Sequence, residues 1–165
     1  MEQRPRCVKL KAIFAILGII AGISILICFI FYKNANAAAW GLLTGIFASV
    51  VYSLHRSYLK NTMHLKYTAE TLRLTKLCGI LCSVLAILSS ITYFTLAAVL
   101  KQGYKVEGDG YAPAGVFALL ALKWTFMMFW EGKRYENFLK NYPESDHGSE
   151  VRNIQTIRAP THYGA

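Results

Sequence analysis

Long apolar segments separated by short polar stretches form the dominant pattern of this sequence. Four segments stand out, at residues 12–32, 35–54, 77–100 and 112–130. The first three contain no charged side chain, and the fourth contains one, Lys123. A helix needs about 20 apolar residues to cross the roughly 30 Å hydrocarbon core of a bilayer. The pattern therefore predicts an all-α membrane protein with four transmembrane helices, and the lipid bilayer is its first expected partner.

The basic residues are distributed unevenly among the polar stretches, which predicts the orientation of the chain. Of the 18 Lys and Arg residues, fourteen lie before residue 12, from 55 to 76 or after 130, and three lie in the other two connections. Because loops rich in Lys and Arg stay in the cytosol, we expect both termini there. The net charge of +9 is then a topology signal, and a nucleic acid partner is excluded. The predicted parts are a cytosolic basic arm, a four-helix transmembrane domain and a cytosolic polar tail, at residues 1–11, 12–135 and 136–165.

The polar connections between the segments also predict local structure. Residues 33 and 34 leave room only for a tight turn between the first two helices. The stretch 55–76 mixes basic residues with Tyr, Leu and Met, which predicts an interfacial amphipathic helix that extends the second span. The stretch 101–111 contains three glycines, so we expect a turn with little order.

Glycines spaced four residues apart occur in the first two segments, as Gly18 with Gly22 and Gly41 with Gly45. Such spacing lets the backbones of two helices approach closely. The two pairs predict either the seam between helices one and two or a contact between subunits, and both alternatives remain open from the sequence.

Two side chains with possible chemistry lie inside or at the end of a segment. Lys123 could extend its ammonium towards the headgroups, or face the bundle interior and meet an anionic ligand, because no acidic residue lies in any segment. His55 directly follows the second segment. A lone histidine there is more often an interfacial residue than a ligand.

Aromatic and basic residues alternate at the end of the fourth segment. Trp124 and Trp130 are followed by Lys133, Arg134 and Tyr135. An aromatic belt backed by cations is the ordinary end of a membrane helix, but the same groups suit a flat, apolar, anionic molecule. No combination of nucleophile, base and orienting group is recognisable, so we expect binding or transport rather than an enzyme.

Two stretches carry a resemblance to a known family. The residues from Lys123 to Phe138 read Lys-Trp-Thr-Phe-Met-Met-Phe-Trp-Glu-Gly-Lys-Arg-Tyr-Glu-Asn-Phe, and residues 37–45 read Ala-Ala-Ala-Trp-Gly-Leu-Leu-Thr-Gly, followed later by His55. They resemble the last and the second helix of the haem-responsive haem transporters of animals. Four spans, cytosolic termini and the chain length are similar as well, and the resemblance covers roughly residues 12–140.

The resemblance implies a role for each matching residue. His55 would be an iron ligand, and Lys133, Arg134 and Tyr135 would form a cytosolic box whose cations bind the haem propionates. Lys123, Trp124 and Trp130 would provide a further cation and aromatic walls. Haem would be the transported ligand, not a prosthetic group, and would move from the extracellular or endosomal–lysosomal side to the cytosol. The expected location is the endosomal or lysosomal membrane, the plasma membrane, or both, and no metal other than haem iron is expected.

The sequence departs from the family pattern in two places. The aromatic residue of the box falls at Trp130, and Glu131 stands nearest the family's Phe or Tyr. The second external connection has no histidine, so Tyr104 or Tyr111 would have to serve as the weaker oxygen ligand at the outer face.

Further expectations concern assembly and sorting. One four-helix subunit has little surface with which to enclose haem, so we expect a homo-oligomer. Tyr135 followed by Phe138 resembles an endocytic sorting signal. The alternative to transport is a four-helix accessory or scaffold membrane protein without a substrate.

Overall fold

Five helices account for most of residues 5–141, the part of the chain that the computed structural model describes. They are α1 (Pro5–Phe31), α2 (Ala35–Leu59), α3 (Met63–Lys66), α4 (Ala69–Val99) and α5 (Tyr111–Lys140). This described range contains no β-strand. The four long helices are long and apolar enough to cross a membrane. The prediction of an all-α membrane protein with four spanning helices is confirmed.

Each long helix continues past its apolar segment at the same end of the bundle. At this end α1 begins at Pro5, α2 ends at Leu59, α4 begins at Ala69 and α5 ends at Lys140. The apolar segments stop there at residues 12, 54, 77 and 130, so the helices extend five to ten residues further. At the opposite end, helices and apolar segments stop within one residue of each other.

We call the extended side, with residues 5–11, 55–76 and 131–140, the charged end. The other side, with residues 32–34 and 100–111, is the loop end. The helix predicted for residues 55–76 is interrupted: α2 reaches Leu59, α3 is a single turn, and α4 begins only at Ala69. Residues 142–165 of the predicted polar tail lie outside the described residues.

The long helices pack in the order α1, α2, α5, α4. Extensive contacts join α1 to α2, α2 to α5 and α5 to α4. The two central helices, α2 and α5, bury more of their surface than the two outer ones. The outer faces of α1 and α4 carry exposed Ile, Leu and Phe side chains, as expected for surfaces in contact with lipid tails.

The α1–α2 seam is built on glycine. A Cβ atom at Gly22 would lie 2.5 Å from the backbone N and 2.6 Å from the Cα of Gly45. A Cβ at Gly41 would meet the backbone N of Leu26 at 2.9 Å. Of the two alternatives left open by the sequence, these contacts select the seam between helices one and two. Gly18 instead makes room for the Trp124 indole of α5.

The loop end is held by one buried amide. Asn34 caps α2, since its Oδ1 accepts from the backbone N of Ala37 at 3.0 Å. Its Nδ2 donates to the carbonyl oxygens of Gly110 at 2.8 Å and Val106 at 3.3 Å. The backbone N of Gly108, at φ 61°, donates to Tyr32 O at 3.0 Å. The α4–α5 connection, which the sequence predicted to have little order, is thus fixed to the α1–α2 turn.

Candidate functional site

A buried histidine lies where α2 meets α5 at the charged end. The His55 side chain is 0% exposed, and its Nδ1 lies 2.8 Å from Tyr135 Oη. Tyr135 is itself buried, in an apolar cluster with Leu54, Met63 and Leu72. Within residues 5–141, His55 Nε2 has no hydrogen-bond partner. A buried polar atom without a partner is costly, so its presence calls for a functional explanation.

The contact with Tyr135 defines what His55 can do chemically. In the tautomer in which Nδ1 carries the proton, Nδ1–H donates to Tyr135 Oη and Nε2 presents its lone pair. A histidine that binds a metal through one ring nitrogen characteristically donates the other N–H to a neighbouring acceptor, which fixes its tautomer and orientation. In this tautomer the pair has the arrangement of a metal-binding imidazole with a supporting partner. In the other tautomer, Tyr135 Oη–H donates to Nδ1 and Nε2 carries the proton.

A buried carboxylate stands one turn from Tyr135 on the same face of α5. Glu131 is 1% exposed, and its Oε1 accepts a hydrogen bond from Lys11 Nζ of α1 at 2.6 Å. Its Oε2 lies 3.8 Å from an Arg134 guanidinium nitrogen and has no hydrogen-bond partner within the described chain. The predicted propionate-binding Arg134 thus already has an anion beside it.

A second buried carboxylate, Glu136, also joins separate elements. Lys76 of α4 donates to its Oε2 at 2.7 Å, and Lys140 donates to its Oε1 at 2.7 Å. Sequence reasoning missed both carboxylates because it ended the fourth span at residue 130. Glu131 and Glu136 are the two acidic residues in a cation-rich stretch, and their spacing continues the buried face of α5. That spacing was the signal available in the sequence.

The aromatic and basic residues of α5 are divided between two faces of the helix. Trp124 and Tyr135 point inward, and Trp124 packs against Ala15, Ala48 and Val51. Exposed positions on the outer face are occupied by Lys123, Trp130 and Lys133. The helical period of 3.6 residues imposes this division, so the predicted box residues do not form a single cluster.

Lys123 lies on the outer surface of the bundle rather than in its interior. Its side chain is exposed, and Nζ is 5.2 Å from the centre of the Trp124 ring. A cation over an indole face is attracted by the ring quadrupole. Trp130, 58% exposed, stacks on Phe126 with ring centres 6.5 Å apart. Both side chains are available to a ligand or a second subunit on the outside of the bundle. Neither side chain is available to a ligand that lies between α2 and α5.

The two outer-face candidates are far from His55. Tyr104 is exposed in the α4–α5 connection, and Tyr111 begins α5, where its ring stacks on Tyr93 at 6.2 Å. About 20 residues of α2 separate His55 from this end, which corresponds to roughly 30 Å of helix. Tyr104 and His55 therefore cannot bind the same iron atom at once.

The sorting-signal candidate is placed in a folded helix. Tyr135 is buried against His55, and the Phe138 ring contacts Tyr58 with centres 5.3 Å apart. A receptor that reads Tyr135 needs that side chain accessible, and it is not accessible in this structure.

Within residues 5–141, no group of three His, Cys, Asp or Glu side chains could hold a metal ion. Comparisons of the chain with protein-family models, curated proteins and solved structures find no match.

Proposed function

We propose that this membrane protein transports haem from the extracellular or luminal side to the cytosol, with His55 as a transient iron ligand. The observation that carries the proposal is the His55 Nε2 atom, buried in a candidate membrane span and without a hydrogen-bond partner among residues 5–141, while Nδ1 is engaged by Tyr135. The proposal also draws on the resemblance of the second and fourth helices to haem-responsive haem transporters, from which the role of His55 was taken.

The chemistry of haem suits the groups near the charged end. Haem is a flat apolar disc with an iron centre and two carboxylates. A neutral imidazole binds its iron and can release it on protonation. Lys133 and Arg134 are then the cations for the propionates, with Trp130 and Lys123 on the outer face of the same helix. Lys133 is free of ion pairs within the described chain, and Arg134 would exchange Glu131 for a propionate.

Haem reaches His55 only if the bundle opens. Because His55 and Tyr135 are both buried, α5 must move away from α2 at the charged end to admit a disc the size of haem. The structure then corresponds to the closed state in this proposal. Opening also lets the Tyr135 hydroxyl contact the ligand, which gives the box tyrosine a role in both states.

The remaining parts of the proposal concern the membrane and assembly. The excess of basic residues at the charged end supports a cytosolic location for that end, in an endosomal, lysosomal or plasma membrane. A homo-oligomer would place the exposed Lys123 and Trp130 of one subunit against a second subunit and so enclose more of the haem surface. Tyr104 and Tyr111 are the proposed first contacts at the outer face.

The direct test is a haem titration of the purified protein, followed through the Soret absorption band. We expect a shifted Soret band for the unmodified protein, loss of the shift in His55→Ala, and partial retention in His55→Tyr, because a phenolate can bind ferric iron. His64→Ala, in α3, is the matched histidine control and should behave like the unmodified protein. The same ranking is expected for growth of a haem-auxotrophic cell.

The accessory-protein alternative is favoured by one observation: the predicted box residues are divided between two faces of α5. It predicts no Soret shift at any haem concentration and no effect of His55→Ala on haem-dependent growth. A shift that persists unchanged in His55→Ala would reject His55 as the ligand.

Cysteines introduced at residues 65 and 106 should be labelled from opposite sides of the membrane, whichever function holds.

A further inference from the structure

A polar cavity of about 400 Å³ opens at the charged end, where α2 stops and the chain turns back through α3. It is separate from the buried contact between His55 and Tyr135. Its charged lining groups are all cations, from Arg56, Lys60 and Lys66. The other lining groups all carry hydroxyls and belong to Tyr52, Ser53, Ser57 and Thr62.

Local hydrogen bonds fix the wall of this cavity. The backbone N of Thr62 donates to Ser57 O at 3.0 Å, which reverses the chain after α2 with Asn61 at φ 54°. The hydroxyls of Ser53 and Tyr67 are 2.9 Å apart and hold the end of the connection against α2. The lining groups are therefore presented by a folded turn.

The three cations have no acidic partner. Within residues 5–141, ion pairs involve Lys11, Lys76, Arg134 and Lys140, and neither Arg56, Lys60 nor Lys66 takes part in one. Lys60 caps the C-terminal end of α2 and follows Arg56 by four positions, so the two side chains extend from the same side of the helix end. Three cations without an ion pair in this described range, beside the hydroxyl groups of the cavity wall, form a site suited to a multiply charged anion.

We propose that this cavity binds a phosphomonoester-bearing ligand, and specifically the headgroup of a phosphoinositide lipid in the leaflet at the charged end. A phosphomonoester carries close to two negative charges and three acceptor oxygens, which matches an arginine fork, two ammonium groups and several hydroxyls. The volume falls in the range of about 300–1,000 Å³ that is usual for small-ligand pockets.

The position of the cavity favours a lipid over a soluble phosphate. The apolar segment of α2 ends at residue 54, and Arg56 follows two residues later. The cations therefore lie where hydrocarbon gives way to headgroups, the level at which basic pockets meet phosphorylated lipids. The proposal rests on the membrane topology and is independent of haem transport.

The test measures binding of a fluorescent short-chain phosphatidylinositol bisphosphate to the full chain in phosphatidylcholine nanodiscs. A charge-assisted contact to a phosphate oxygen contributes at least roughly fivefold in affinity, so removing three such contacts should weaken binding about a hundredfold. Cations outside the cavity attract the headgroup only over longer distances, where salt screens them. The test variant is Arg56→Gln/Lys60→Gln/Lys66→Gln. The matched control, Arg6→Gln/Lys9→Gln/Arg73→Gln, removes three exposed cations from the same end but outside the cavity, and should weaken binding by less than tenfold.

Competing ligands separate the possible sources of the phosphate. Inositol trisphosphate should compete at least tenfold more weakly than the lipid, and short-chain phosphatidylserine should not compete. Equal competition by inositol trisphosphate would overturn the lipid assignment in favour of a soluble phosphomonoester. Equal losses in the test and control variants, or equal binding of phosphatidylserine, would overturn the cavity as a site. The lipid should also raise the thermal midpoint of the unmodified protein and not that of the test variant.

Discussion

The two ends of this bundle are joined by different kinds of interaction. At the charged end, long side chains from α1 and α4 reach two buried carboxylates of α5, through Lys11–Glu131 and Lys76–Glu136. At the loop end, the neutral side chain of Asn34 bonds to backbone carbonyls of the α4–α5 connection. Ion pairs of flexible side chains can be replaced by water or by an anionic ligand when helices separate. The neutral contacts of Asn34 cannot exchange with an anionic ligand in this way, so we expect ligand-driven opening of the bundle at the charged end.

The largest expected effect comes from the buried carboxylate of Glu131. Lys11→Met leaves it without its 2.6 Å partner, and breaking a buried pair on one side costs about 3 kcal/mol, the low end of the usual range. We place it at the low end because Lys11 is 31% exposed and Arg134 stays near. The free energy of unfolding in detergent is the measurement.

The control variant removes both charges of the ion pair, on Lys11 and on Glu131. Lys11→Met/Glu131→Met replaces the pair by apolar side chains, which is often close to neutral for stability, so it should recover most of the loss. If the double variant is no more stable than Lys11→Met alone, the unpaired carboxylate is not the cause.

An intermediate effect is expected at the loop end from Asn34→Ala. This change removes the α2 cap, worth about 1 kcal/mol, and the donor to Gly110 and Val106, worth about 1 kcal/mol more. Hydrogen exchange of the backbone amides at residues 101–110 should accelerate, while residues 131–140 stay protected. Asn34→Ser keeps a capping oxygen but loses the donor, and should show about half the loss. Equal protection of residues 101–110 in all three proteins would mean that the amide does not hold the connection.

The smallest effect is expected from the outer ion pair of Glu136. Lys140 is 58% exposed and lies one turn from Glu136, and exposed pairs of this kind contribute about 0.3–0.5 kcal/mol. Lys140→Ala should lower the free energy of unfolding by that amount at low salt, and the difference should vanish near 1 M salt because the charges are screened. Lys133→Ala, a matched exposed lysine on the same helix, should show no salt-dependent loss. A decrease in the free energy of unfolding above 1 kcal/mol in Lys140→Ala would mean that this pair contributes as much as a buried ion pair.

The sequence was sufficient to predict the four helices, because each contains an uninterrupted apolar segment, but it did not predict the extensions of α1, α4 and α5 at the charged end. It did not reveal which face of α5 points inward, since an all-apolar segment carries little periodicity. For the same reason, Trp130 and Tyr135 were assigned to one box although the structure directs them to opposite sides. Glu131 was missed because its burial depends on Lys11, a residue 120 positions away. Whether His55 binds iron stays a prediction, supported but not tested by its unpartnered nitrogen.

The distance in sequence between Lys11 and Glu131 has a consequence for biosynthesis. The α1–α2 pair can form, through Gly22 and Gly45, while the ribosome is still completing the chain. Glu131 is made after α1, α2 and α4, and it meets Lys11 only when α5 docks against the first hairpin. Until then its carboxylate stands at the membrane edge without a partner from α1. Docking of α5 is thus the step at which the Glu131 carboxylate leaves water and becomes buried, so assembly of the bundle and burial of this charge are one event.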